Sequence, residues 1–431
     1  MSHRSCALVL AIAGATAVAG QTVTPAQRDV NIQSFEKVWT TVSDKHWDPK
    51  LGGLNWQAVH DELRPKMEAA KTANEARDIL NDMVGRLKQT HFGIFPGSVY
   101  HDLDASSDDS DSGEATPGID VRILQGHAIV TDVEGGSPAA AKGVKRGWEI
   151  LRIGDAEIPP VVKRIQEQFK DPTLLDLRLS RSVLNRLEGS AGSTVTVDFL
   201  DGGDRKVSVG LERAKARGKI ARLGSFPPMA VWSEWRRLPQ DVGYVRFNMF
   251  FDPEGLAKTI EEAIQGCRDC RGFVLDLRGN PGGIGGLAMG VAGWFTDQSG
   301  LQLGTEYLRG LTIKFVIFPR PEPFRGPLAV LMDGCSASTS EILAGGLKDI
   351  HRARLFGTRT AAAALPSVIE RLPNGDGFQY AIANYISQGG KPLEGIGAIP
   401  DEEVPLTRRQ LLEGKDPALD AAVEWIQKQT P

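Results

Sequence analysis

Two runs near the middle and end of the chain constrain its fold more than any other feature. "GFVLDL" (272–277) and "LAVLMD" (328–333) are almost wholly apolar and lead into turns of small residues, "RGNPGG" (278–283) and "GCSAST" (334–339). A short strand that is apolar on both sides must be covered on both faces, as in a parallel sheet flanked by helices. "SEILAGGLKD" (340–349) then has helical spacing, as do Leu256, Ile260, Ala263 and Ile264 after the strand-like "VGYVRFNMF" (242–250). "RLFGT" (354–358), "FQYAIANYIS" (378–387), read as one strand, and "PALDAAVEWIQKQ" (417–429) continue the alternation. Strands alternating with helices place this part in the α/β class, with function-bearing turns after the strands.

The preceding half reads differently. Phe35, Val38, Trp39 and Val42 lie at i, i+3, i+4 and i+7, and residues 30–95 continue as helices. Asp102 to Gly118, acidic and rich in Ser, reads as a linker or mobile loop. From Gly118 the pattern is strand-like. Residues 193–213 form an expected hairpin around Asp201-Gly-Gly-Asp204, while Pro159–Leu187 reads as an insertion and 214–240 as a polar connection. The 431 residues suffice for two or three domains. The net charge of −4, with no basic block, argues against a nucleic-acid partner. Met-Ser-His-Arg followed by the small apolar run Cys6–Gly20 has the pattern of an export signal, cleaved near Ala19 or Gly20, with a retained anchor as the alternative. No second Cys pair or nearby His completes a zinc site around Cys267 and Cys270, so a local disulfide or two plain thiols is expected.

The chemistry concentrates in Asp333–Ile342, "DGCSASTSEI". A serine at a helix N-terminus is exposed beside free N–H groups that stabilise an oxyanion, which suits acyl transfer. Ser336, Ser338 and Ser340 are all available. Ser338-x-x-Glu341 also fits a capping box, a purely structural role. The glycines of "VLDLRGNPGG" (274–283) would let backbone N–H groups approach a ligand closely.

In their order along the chain, "LDLRGNPGG", "SASTSEILAG", "GTRT" and "EGIGAIPDEEVP" resemble the S41 peptidases, the tail-specific and tricorn-like serine proteases. "GSPAAAKGVKRGWEILRIGD" (136–155) resembles a PDZ domain. The resemblance implies an α/β, ClpP/crotonase-like core at 214–431. Before it would come a signal peptide (1–20), an N-terminal helical region (21–98), an acidic linker (99–117) and a PDZ-like domain (118–213). It implies Ser338 as nucleophile, with an oxyanion hole from Thr339 and Gly282 or Gly283. The processing proteases carry a lysine base where this chain has Ala363, and Arg359 cannot replace it because guanidinium stays protonated. The tricorn-like branch uses a histidine, matched by His91, with Thr90 as the neighbouring hydroxyl and Glu394 as the carboxylate. His46, His60, His101, His127 and His351 lack that context. Gly118 and Ile119 would begin a groove binding peptide C-termini. The implied protein is an exported serine endopeptidase acting on peptides or proteins, without metal or organic cofactor. The alternatives are an inactive PDZ-bearing peptide-binding protein and a hydrophobic-ligand carrier on the same core.

Overall fold

The computed structural model describes residues 22–97, 115–168, 173–222 and 229–429. The expected export signal, most of the acidic linker and His101 lie outside them.

A six-stranded sheet forms the centre of the second half. Its order is Ser233–Leu238, Val242–Phe247, Gly272–Asp276, Leu328–Met332, Arg354–Gly357 and Glu402–Glu403, with the first pair antiparallel and the rest parallel. Side chains alternate across it. Val245, Phe247, Phe273, Leu275, Leu328, Val330 and Met332 face one apolar cluster, built with the helices Pro253–Gly266, Gly286–Ala292 and Thr339–Asp349. Val242, Tyr244, Val274, Ala329, Leu331 and Phe356 face the other, closed by Ala418, Ala422, Val423 and Ile426 of the last helix. Both faces are dry, which is why "GFVLDL" and "LAVLMD" show no polar alternation.

The first helices are Pro25–Lys45, Trp56–Ala69 and Ala73–Gly85. Phe35, Val38 and Val42 are buried among them, but their cluster is completed by Leu365, Leu372, Phe378, Tyr380 and Ala381 from far along the chain. The strand Gly93–Phe95 pairs antiparallel with Gly377–Ala381, tying the end of the helical region to the second half. "FQYAIANYIS" is therefore two strands rather than one. Gly377–Ala381 serves this sheet, and Ala383–Ser387 pairs with Gln302–Leu308 in another. Between them the Ile382 N–H bonds the Pro366 carbonyl.

Residues 119–212 form a separate sheet, in the order Ile119–Leu124, His127–Val133, Glu149–Ile153, Thr194–Leu200, Lys206–Glu212. The hairpin at Asp201–Asp204 forms as expected. The segment expected as an insertion holds two helices, Ile158–Gln168 and Leu175–Leu187, which put Ile158, Val162, Leu179, Val183 and Leu187 into the same core as the strands. The polar stretch 214–240 also contains strands, Lys219–Ala221, Met229–Val231 and Ser233–Leu238. Cys267 and Cys270 are joined by a disulfide.

Candidate active site

The turns that follow Gly272–Asp276 and Leu328–Met332 leave the carboxyl ends of adjacent parallel strands, the usual place for a ligand site in an open α/β sheet. Two polar side chains, the buried Asn280 and the partly exposed Asp333, lock them together. Asn280 donates to the Phe247 carbonyl (3.0 Å) and accepts the Gly282 N–H on Oδ1 (2.9 Å), while its own carbonyl receives the Ala337 N–H (3.0 Å) and the Ser340 hydroxyl (2.9 Å). Asp333 accepts the N–H groups of Gly279 and Cys335, both at 2.9 Å, and its other oxygen takes the Arg122 guanidinium at 2.8 Å.

This lattice separates the three serines. Ser336 and Ser340 are fully buried, and their hydroxyls donate to the carbonyls of Leu277 (2.8 Å) and Asn280 (2.9 Å). Ser338 is partly exposed at the N-cap of Thr339–Asp349, with φ 55° and ψ −116°. A non-glycine residue held at positive φ is strained, and such strain persists where the surroundings over-determine it. Only half of the expected capping box is present. The Ser338 N–H donates to Glu341 Oε2 (2.9 Å), but the Glu341 N–H bonds the Ser338 carbonyl (2.8 Å) rather than its side chain. Gly282, at φ 101°, lies so close that a Cβ there would come within 2.7 Å of the Ser338 Cβ and 2.9 Å of the Thr339 N. The Thr339 hydroxyl donates to the Gly283 carbonyl at 2.9 Å, closing the two turns on each other.

A strap, residues 360–364, runs beside the serine. Ala363 accepts the Ser338 N–H at 2.8 Å. Its side chain belongs to a small apolar cluster with Leu174, Leu177, Cys335, Ala337 and Ala361. Arg359 points its guanidinium to the Gly395 carbonyl at 3.0 Å. Burial pushes the Cys335 thiol up to about 12, so it stays protonated.

The next residue of the strap leads to the histidine. Ala364 donates its N–H to Glu394 Oε2 (3.0 Å); the same oxygen accepts the Thr90 hydroxyl (2.9 Å), and Oε1 accepts the Thr90 N–H (3.0 Å). The Thr90 oxygen lies 2.7 Å from His91 Nδ1. Thr90 has one hydroxyl proton and gives it to the carboxylate, so the imidazole must supply the proton of the second bond. That places the hydrogen on Nδ1 and leaves the Nε2 lone pair available. His91 is buried at φ 59°, and burial lowers its pKa to about 4. Thr90, His91 and Glu394 thus form one hydrogen-bonded unit. Ser338 joins that unit through Ala363 and Ala364, with no direct hydrogen bond to His91.

Of the remaining histidines, His46 bonds Gln89 and the Asp48 carbonyl, His60 bonds Glu36, and His127 bonds Glu149. Gly118 and Ile119 line a groove between the strand Ile119–Leu124 and the helix Leu175–Leu187, lined also by Leu177, Arg181 and Leu184 and reaching Gly279, Pro281 and Cys335 of the two turns. Asn280 and Asp333 were not singled out from sequence. Their signal is local: each is a polar residue with an adjacent or near glycine just after a buried apolar run.

Residues 241–404 match the family described as peptidase family S41, and residues 31–85 match the tricorn protease C1 domain. The chain carries an S41 peptidase domain over residues 241–404. It is a serine-type peptidase. This S41 peptidase is 26% identical over 377 residues to a carboxyl-terminal-processing protease of Picosynechococcus sp., which covers 86% of the chain and 82% of that relative. It is 25% identical over 414 residues to tricorn protease homolog 1 of Streptomyces coelicolor, covering 91% of the chain but 34% of the relative. Its fold matches the photosystem II D1 C-terminal processing protease with a TM-score of 0.58 at 20% identity, over 93% of this chain and 97% of the other.

Proposed function

We propose that this S41 peptidase cleaves peptide bonds with Ser338 as nucleophile and His91 as base, in the manner of the tricorn-like branch. The observation that carries the reading is the Glu394 carboxylate. It receives Thr90 with one hand and the strap beside Ser338 with the other, so the histidine and the serine are positioned by one group. His91 Nε2 takes the proton from Ser338 Oγ as Oγ attacks the scissile carbonyl. The N–H groups of Thr339 and Gly283 receive the oxyanion; that of Gly282 is already held by Asn280. The imidazolium returns its proton to the leaving amine. Water, deprotonated by the same nitrogen, then hydrolyses the acyl-enzyme. Low proton affinity keeps His91 neutral at physiological pH, the form a base requires. Ala363, packed among apolar side chains, leaves no lysine for a dyad.

The remaining parts follow from the family resemblance. Residues 118–213 act as a PDZ module whose groove, beginning at Gly118 and Ile119, takes the C-terminus of a peptide or protein substrate. Residues 214–431 form a ClpP/crotonase-like core, preceded by the helical region 21–98 and the acidic linker 99–117. The apolar run Cys6–Gly20 supports export to a periplasmic or secreted location. No helix among the described residues is long and apolar enough to cross a membrane.

Covalent labelling with a fluorophosphonate, mapped by peptide mass spectrometry, tests the chemistry. Labelling at Ser338 that is lost in His91→Ala is the expected result. Labelling at another serine or at Cys335 contradicts it.

A further inference from the structure

We propose that Glu341 is a positioning residue that clamps the nucleophile turn to the 360–364 strap. The inference rests on the Ser338 reading above. Glu341 is fully buried one turn into the helix that Ser338 begins. Oε2 accepts the Ser338 N–H and the Ala363 N–H, both at 2.9 Å; Oε1 accepts the Thr360 hydroxyl at 2.6 Å and the Ala362 N–H at 2.8 Å. Four donors converge on two oxygens, and the ionised form accepts all of them; a proton on Oε2 would face only N–H groups, which cannot accept it. Ala362 is held at φ 60° and Ser338 at φ 55°, and Glu341 bonds the N–H of each. Both strained residues are thus pinned by the same carboxylate, which sets where Ser338 stands relative to the strap that also reaches Glu394.

The titratable groups on the elements around it are Asp333 and Cys335 on the nucleophile turn, Arg359 before the strap, Glu394 beyond it, and, farther along the same helix, Asp349 and Lys348, the latter paired with Asp401. The proton affinity of Glu341 is set by burial, which raises its pKa to about 7, against the four hydrogen bonds, which lower it. Protonation therefore releases the clamp near neutral pH. His91, which titrates at about 4, leaves the acid limb of the rate to Glu341.

The test combines pH–rate profiles of peptide hydrolysis with hydrogen exchange at the Ser338, Ala362 and Ala363 amides, for wild type, Glu341→Gln, Thr360→Val and Thr360→Ser. Glu341→Gln puts an amide donor against two of the four donors. We expect a fall in kcat of roughly a hundredfold with KM little changed, as for displacement of a reacting group by about 1 Å. The limb near neutral pH should vanish, and exchange at the three amides should accelerate. Thr360→Val removes a donor to the charged form and should move the limb to higher pH; Thr360→Ser should restore it. A Glu341→Gln profile that superimposes on wild type, or unchanged amide exchange in a folded variant, overturns the proposal. If Glu341→Gln does not fold, an unshifted limb in Thr360→Val overturns it alone. Exchange needs no turnover: wild type inert toward peptides but with accelerated exchange in Glu341→Gln refutes the Ser338 reading and leaves the clamp standing.

Discussion

The Thr90 hydroxyl oxygen lies 2.7 Å from His91 Nδ1, and because its own proton goes to Glu394, it fixes the imidazole with hydrogen on Nδ1. The order of effects at this site follows. Thr90→Val removes two supporting hydrogen bonds, the one given to Glu394 and the one received from His91, each of about 1 kcal/mol net, and should slow turnover roughly ten- to thirtyfold. Thr90→Ser should stay near wild type. Glu394→Gln should cost more than Thr90→Val but less than His91→Ala. Steady-state kinetics on the four proteins gives the ranking, and Thr90→Val slower than His91→Ala contradicts it.

Gly282 and Gly283 admit no side chain. A Cβ at Gly282 would approach the Ser338 Cβ at 2.7 Å, and one at Gly283 would meet the Phe250 carbonyl oxygen at 2.3 Å. Gly282→Ala should therefore keep its far-UV circular dichroism yet lose labelling at Ser338. Full labelling of a folded Gly282→Ala would show that the close approach of the two turns is not needed for reactivity.

The groove at Gly118 and Ile119 should distinguish chain ends. Peptides with a free C-terminal carboxylate should bind more tightly than their amides, because strand addition ends with the carboxylate on backbone N–H groups. Calorimetry on a matched pair decides it; equal affinities remove the groove from substrate selection.

Stability should depend on pH in two opposed ways. His91 moves from an ordinary 6.5 to about 4, so the unfolded chain binds more protons between those values and this term stabilises the fold as pH rises through them. Glu341 moves from 4.5 up to about 7, so its term weakens the fold as pH rises through that range. Replacing the histidine by glutamine removes only the first. Wild type should gain on His91→Gln, by up to about 3 kcal/mol, between pH 4 and 6.5. Urea titrations at several pH values measure this, and parallel stability curves would show that His91 titrates normally.

The strands at 272 and 328 were legible because burial on both faces leaves an unbroken apolar run. The helix after Ser338 was legible from its spacing. The strands of 214–240 were hidden because they and the bends between them carry arginines, lysines and glutamate whose ion pairs, such as Arg217 with Glu234, replace apolar alternation. The two-strand character of 377–387 was hidden because a continuous apolar run does not record that its halves face different partners. At the site, no local pattern links Thr90 to Glu394, 304 residues apart; only the family's motif order suggested them together. Glu341 was visible only as half of a helix cap, since the donors that surround it come from a strap distant in sequence.

The central claim is that His91 is the base for Ser338, and the turnover of folded His91→Ala on a peptide substrate tests it most directly. A general base contributes roughly 10²- to 10⁴-fold, so a loss of that size is expected, close to that of Ser338→Ala, with the double variant little worse than either. A folded His91→Ala protein that turns over at the wild-type rate would contradict the account.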